Sequence, residues 1–126
     1  MRYLSDSWLQ AADQALEGLE PLPVGLLVGY VVTGGPDGER RYSVRFGPDA
    51  VRLVTGTDNA DVVLRLDWDL AVGVALGQDS AQRAFLDGGL RLAGDVNLLL
   101  AHGPALTAFE DRLATLRTAT DFGGAL

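Results

Sequence analysis

Hydrophobic positions recur along this chain with two periods, and the changes between them mark its elements. From Ser5 to Leu19, Trp8, Leu9, Ala12, Leu16 and Leu19 fall on one face of a 3.6-residue period, which predicts an amphipathic helix. Ser5 or Ser7 can cap its start, Ser7 with Gln10 in capping-box position, and Pro21 and Pro23 stop any continuation. The period then drops to two. Val24 to Thr33 is an apolar run that ends in the turn cluster Gly34 to Gly38. From Arg40 to Phe46, Tyr42, Val44 and Phe46 alternate with Arg41, Ser43 and Arg45, which predicts a hairpin with one wet face. A short strand with Val51 and Leu53 on one side and Arg52 on the other follows. Gly56 to Asn59 turns into Ala60 to Asp67, where Val62, Leu64 and Leu66 alternate with Val63 and Arg65.

Beyond Asp67 the helical period returns. Asp67 can cap a helix running to about Leu76, with Leu70 and Val74 inward and Gly77 at its end. Asp79 or Ser80 caps a second, short helix that carries Phe85 and Leu86 and ends at Gly88 and Gly89. A strand from Leu90 to Gly94 follows. The last helix starts near Asp95, is interrupted at Gly103 and Pro104, and continues with Leu106, Phe109, Leu113 and Leu116. The glycine-rich tail from Asp121 to Leu126 reads as loose. The order helix, four strands, two short helices, strand, helix predicts one α+β domain over 1–126, a five-stranded mixed or mainly antiparallel sheet with helices covering one face. Arg41, Arg45, Arg52, Arg65 and Arg91 all fall opposite the apolar strand positions, so that face is expected to be solvated, with few acidic partners on the strands themselves.

Composition narrows what such a domain does. A net charge of −7, with every basic residue an arginine, argues against nucleic acid and against docking on anionic lipid. Cysteine is absent and His102 is the lone histidine, so thiol chemistry is excluded and neither a metal nor another cofactor is expected. No apolar run approaches the roughly 18 residues that span a bilayer, and the N-terminus lacks the pattern of a secretion signal. The expectation is a cytoplasmic protein without a stable membrane anchor.

The region from about Tyr42 to Leu100 resembles the sterol carrier protein 2 family, in its bacterial branch. The resemblance is carried by Ala60 to Leu66, by the helix opening at Asp67 and Trp68, and by the block from Arg83 to Asp95, in which a short helix ends in glycine, a strand follows and Gly94-Asp95 opens the last helix. The opening Ser5-Asp6-Ser7-Trp8-Leu9 is also similar to bacterial members. The resemblance implies an apolar cavity between sheet and helices that holds a sterol, fatty acyl chain or related lipid, without catalytic residues.

Candidate lining residues are Trp68, Leu70, Val74, Phe85, Leu86, Leu90, Leu92, Leu98, Leu99, Leu106 and Phe109, each of which, taken singly, reads more readily as packed core. The flanking pair Asp67 and Asp69 is accounted for by helix capping, and the Gly34–Gly38 turn lacks the lysine and helix of a phosphate loop. Gly73, inside a predicted helix, points to close packing or a portal. The leading expectation is non-catalytic binding or carriage of an apolar lipid. The alternative is an accessory or homo-oligomeric interaction module, such as a homodimer, with a vestigial cavity, working through the arginine face or an apolar patch. A small isomerase or cyclase ranks third; it requires a buried acid or base at the pocket, for which Asp87, Asp95 and His102 are the candidates, and a pocket wall without carboxylate or imidazole would dispose of it.

Overall fold

The strands β1 (Leu26–Thr33), β2 (Arg40–Phe46), β3 (Val51–Thr55), β4 (Val62–Asp67) and β5 (Arg91–Gly94) form one sheet in the order β3-β2-β1-β4-β5. In this computed structural model, which describes residues 1–20 and 25–122, β1 runs parallel to β4 and every other neighbouring pair is antiparallel. The helices are α1 (Asp6–Ala15), α2 (Trp68–Ala75), α3 (Ala81–Leu86), α4 (Val96–Ala101) and α5 (Gly103–Ala114). The architecture is therefore the expected α+β arrangement with a mixed five-stranded sheet. Pro21, Pro23, the first residue of the apolar run at 24 and residues 123–126 of the tail lie outside the described residues.

Local chemistry sets the helix boundaries. Ser5, Asp67, Ser80 and Asp95 each accept a hydrogen bond from the backbone N–H three residues on, at 3.2, 2.8, 3.1 and 3.1 Å, which satisfies one of the donors a helix start leaves free. The anticipated interruption of the last helix falls at His102, between α4 and α5, with Pro104 in the first turn of α5. At the other end of α1, the Arg112 guanidinium of α5 donates to the carbonyls of Ala15 and Glu17 at 2.9 and 2.8 Å, tying the two helices together.

The sheet departs from the simple hairpin reading between β3 and β4. These strands are not neighbours: residues 56–61 carry the chain across β2 and β1 on the face opposite the core. Ser43 Oγ donates to the Gly56 carbonyl at 2.6 Å, and Asp61 brackets Leu27 by accepting its N–H at 2.8 Å and donating its own N–H to its carbonyl at 2.8 Å. Gly29 lies beneath this crossing, where a Cβ would meet Thr57 and Ala60 at 3.0 and 3.2 Å. The arginine face is thus only partly solvated, with Gly29, Val31 and Ser43 buried on it. This is why β1 reads as a nearly unbroken apolar run: a central strand covered on both sides has no wet positions to alternate with.

Acidic partners for the arginines come from outside the strands. Glu39 takes Arg41 at 2.8 Å and Arg65 at 3.3 Å, and Asp13 of α1 takes Arg52 at 2.8 Å. Asp13 also accepts the Leu53 N–H at 2.8 Å, so it covers a donor on the outer edge of β3 that would otherwise invite another strand. The Arg52 guanidinium hydrogen-bonded to it, helped by that N–H, holds the Asp13 carboxyl below its usual range against a smaller desolvation penalty. Its contribution is present above the unfolded-state value near 3.8 and is lost as pH falls through the lower folded value. Asp13→Asn keeps an acceptor for the Leu53 N–H and removes the charge, so it is expected to cost no more than about 1 kcal/mol at neutral pH, through the pairing with the largely exposed Arg52. Urea denaturation near pH 7 and pH 3 checks this, and the difference between the proteins should shrink at the lower pH.

Candidate functional site

The core face of the sheet is filled in two different ways. Over β2 and β1 it is aromatic. Tyr30 and Tyr42 stack with ring centroids 5.0 Å apart, Phe109 lies 5.8 Å from Tyr30 and 6.2 Å from Phe46, and Tyr3 meets Trp8 edge-on at 4.9 Å. Over β4 and β5 the inward side chains are aliphatic, and the buried non-glycine positions of α2 and α3 are Ala71, Ala75, Ala81 and Ala84. Side chains this small do not reach across the layer.

A pocket of about 440 Å³ opens in that half, within the range of small-molecule sites. Leu64 of β4 is among its innermost lining residues and is fully buried. Val74 of α2, Phe85 of α3, Leu90 and Leu92 around β5, Leu99 and Leu100 of α4 and Leu106 of α5 supply apolar wall. The segment 77–83 and the α5 residues Thr107, Glu110 and Asp111 supply the polar part. Gly73 belongs to the support of this wall: its carbonyl accepts the N–H groups of Gln78 and Asp79 at 2.9 and 3.1 Å, and the Asp79 carboxylate occupies the space a Cβ would need. Gly94, at φ +101° with a Cβ position 2.5 Å from the Asp61 carbonyl oxygen, fixes β5 against the start of β4.

Six of the residues singled out in the sequence, Val74, Phe85, Leu90, Leu92, Leu99 and Leu106, border this pocket. The other five lie elsewhere. Trp68 is seated on the β1–β2 turn at Gly35, with its ring 5.2 Å from Tyr3. Leu70 lies against Gly89, and Leu98 packs against the main core. Leu86 is 77% exposed because α3 is a single short turn whose buried side is Ala81 and Ala84. Phe109 is consumed by the aromatic cluster and borders a separate void of about 30 Å³.

Glu110 is the residue that the sequence reading passed over. It borders both the pocket and the small void behind it. Burial raises its carboxyl from an ordinary 4.5 to about 7; the Ala81 N–H pulls it down and neighbouring Asp111 adds a smaller upward push. The signal was in the pattern, since Glu110 stands four residues after Leu106 and three before Leu113, on the apolar face of α5. The wall therefore holds carboxylates, Asp79, Glu110 and Asp111, and the condition that would dispose of an acid–base enzyme is not met. Asp87, Asp95 and His102 are not among its lining residues: Asp87 ends α3, Asp95 caps α4 and His102 sits at the α4–α5 break. Among the described residues no group of three or more His, Asp or Glu side chains is arranged to hold a metal ion, and no helix is long and apolar enough to cross a membrane.

Comparison with known proteins agrees with this geometry. The SCP-2 sterol transfer family matches residues 7–107. A conserved hypothetical protein from Thermus thermophilus superposes with TM-score 0.71 at 18% identity, over 92% of this chain and 90% of that one. The sterol carrier protein domain 2 of Helicoverpa armigera gives 0.61 at 21% identity, over 86% and 87%. Sterol carrier protein 2 of Aedes aegypti, in complex with palmitate, gives 0.56 at 20% identity, over 86% and 98%. These likenesses show the fold. No curated protein sequence matches the chain.

Proposed function

The chain belongs to the SCP-2 sterol transfer family, and from that premise we propose that it binds and carries an apolar lipid, without chemical turnover, as one domain in the cytoplasm. The observation that carries the reading is the pocket of about 440 Å³ walled by Leu64, Leu90, Leu92, Leu99 and Leu106. Burying a hydrocarbon chain against such a wall contributes roughly 25 cal/mol per Å² of apolar surface removed from water. The palmitate complex of the Aedes aegypti relative supports an acyl or similarly slender ligand.

Titration with a fluorescent sterol and with a pyrene-labelled alkyl chain tests the proposal, and saturable binding is expected. Leu92→Arg places a charge in the apolar wall and is expected to weaken binding by about a hundredfold, while circular dichroism stays unchanged because Leu92 is only half-buried. Phe85→Asp, at a residue 40% exposed, is expected to cost about tenfold. Absence of saturable binding by either probe would remove the proposal. A second reading, a homodimeric interaction module, is favoured by one observation: Leu86 and Leu100 are 77% and 62% exposed, and Leu100 borders the pocket. A light-scattering mass of one chain at high concentration would set it aside.

A further inference from the structure

Among the described residues, the charged side chains of the pocket wall are Asp79, Arg83, Glu110 and Asp111, three acids against one base. Glu110 is the half-buried member of this set, and the other three are exposed. Behind it, bordering the void that shares Val74 and Glu110 with the pocket, is the Tyr30 hydroxyl, on a residue 5% exposed and without a hydrogen-bond partner among the described residues. A carboxylate set in the wall of an otherwise apolar pocket marks a head-group position, because a ligand that leaves it unpaired carries the cost of its desolvation. Building on the lipid-binding reading, we propose that Glu110 selects lipids whose head group donates a hydrogen bond and carries no negative charge, long-chain amines before alcohols, and discriminates against fatty-acid anions.

The electrostatics run the same way. A carboxylate head would enter beside Asp79, Glu110 and Asp111 with only Arg83 to offset them, whereas an ammonium head supplies the counter-charge that Glu110 lacks. An alcohol donates to Glu110, with no charge to place. The groups facing Glu110 are Asp111 on its own helix, Asp79 and Arg83 from the segment around α3, and, across the void, Tyr30 and Tyr42 of the sheet and Tyr3 of the N-terminal segment. All three tyrosines are held well above their usual range, chiefly by burial, and so remain protonated; α2 contributes only Val74 to the pocket wall. Burial keeps part of the Glu110 population protonated near neutrality, so amine binding strengthens as pH rises through about 7 and releases protons from Glu110.

Isothermal titration of the intact protein with decylamine, decanol and decanoate near pH 8 tests this. Decylamine is expected to bind at least about tenfold more tightly than decanoate, with decanol between them. Glu110→Gln keeps an acceptor but removes the charge; it is expected to bring amine and carboxylate within about threefold of each other and to leave decanol near its original affinity. Decanoate binding as tightly as decylamine to the unsubstituted protein, or an amine preference that survives Glu110→Gln, would overturn the selectivity while the pocket reading stands. If none of the three ligands binds, and the fluorescent sterol does not either, the pocket reading itself fails and the selectivity with it.

Discussion

Glu110→Gln is expected to raise stability by about 2 to 3 kcal/mol near pH 8 and to change it little near pH 4. The folded chain holds this carboxyl at about 7 against an ordinary 4.5, so between those values the folded state binds more protons than the unfolded state. Stability then falls as pH rises through that window, and above it the protein carries the full cost of ionising a largely buried carboxyl. Each pK unit is worth about 1.36 kcal/mol, and partial access of solvent brings the cost below the full value. Glutamine has the same shape and no charge, so the loss disappears with it. The low-pH dependence set by Asp13 lies below about 3.8 and does not overlap this window. Urea denaturation of both proteins at the two pH values decides the matter: equal curves at pH 8 would mean that Glu110 is hydrated and that burial does not hold its proton. A stabilising substitution at a pocket residue also has a functional meaning. Groups kept at a cost to stability concentrate where ligands bind.

The elements of this fold were legible because each is announced by local chemistry. Ser5, Asp67, Ser80 and Asp95 cap the helices they precede, and Tyr42, Val44 and Phe46 face the core as their alternation predicts. Strand neighbours were less legible. Alternation tells which face a residue takes but not which strand lies beside it, so the parallel pairing of β1 with β4 and the crossing of residues 56–61 leave only indirect marks, Gly29 and the unbroken apolar run of β1. The pocket was half legible for a related reason. Leu92 and Phe109 are equally apolar in sequence, and what separates them is their surroundings: Leu92 borders the pocket, while the Phe109 ring is taken up by Tyr30 and Phe46. Leu98, Leu99 and Leu100 differ in burial because successive residues of α4 point in different directions around its axis, and Leu99 is the one turned inward. Glu110 was visible as a polar residue in an apolar helical stripe, a pattern that asks for a reason.

Phe109→Ala is expected to cost about 3 to 5 kcal/mol, the largest single loss among these substitutions. The ring is 1% exposed and joins α5 to the sheet through Tyr30 and Phe46, so truncation removes both its transfer free energy and its contacts while the rigid strands beneath cannot close the gap. The space it leaves adjoins the void of about 30 Å³, which already shares Val74 and Glu110 with the pocket. The enlarged void is then expected to open into the pocket past Val74 and Glu110, the residues the two share. The consequence is specific: the variant should unfold at lower urea, yet an apolar ligand of greater bulk should raise its midpoint more than that of the unsubstituted protein, since stabilisation follows the logarithm of ligand concentration over the dissociation constant. Leu86→Ala, at a side chain 77% exposed, should change stability by no more than about 0.5 kcal/mol. A Phe109→Ala protein as stable as Leu86→Ala would mean that α5 is not held by the aromatic cluster. A destabilised Phe109→Ala protein that gains nothing from bulky ligands would mean that the void and the pocket are separated by a wall that Phe109 does not form. Either result would place the boundary of the pocket at a different residue, and Glu110, common to both spaces, is the side chain at which to look for it.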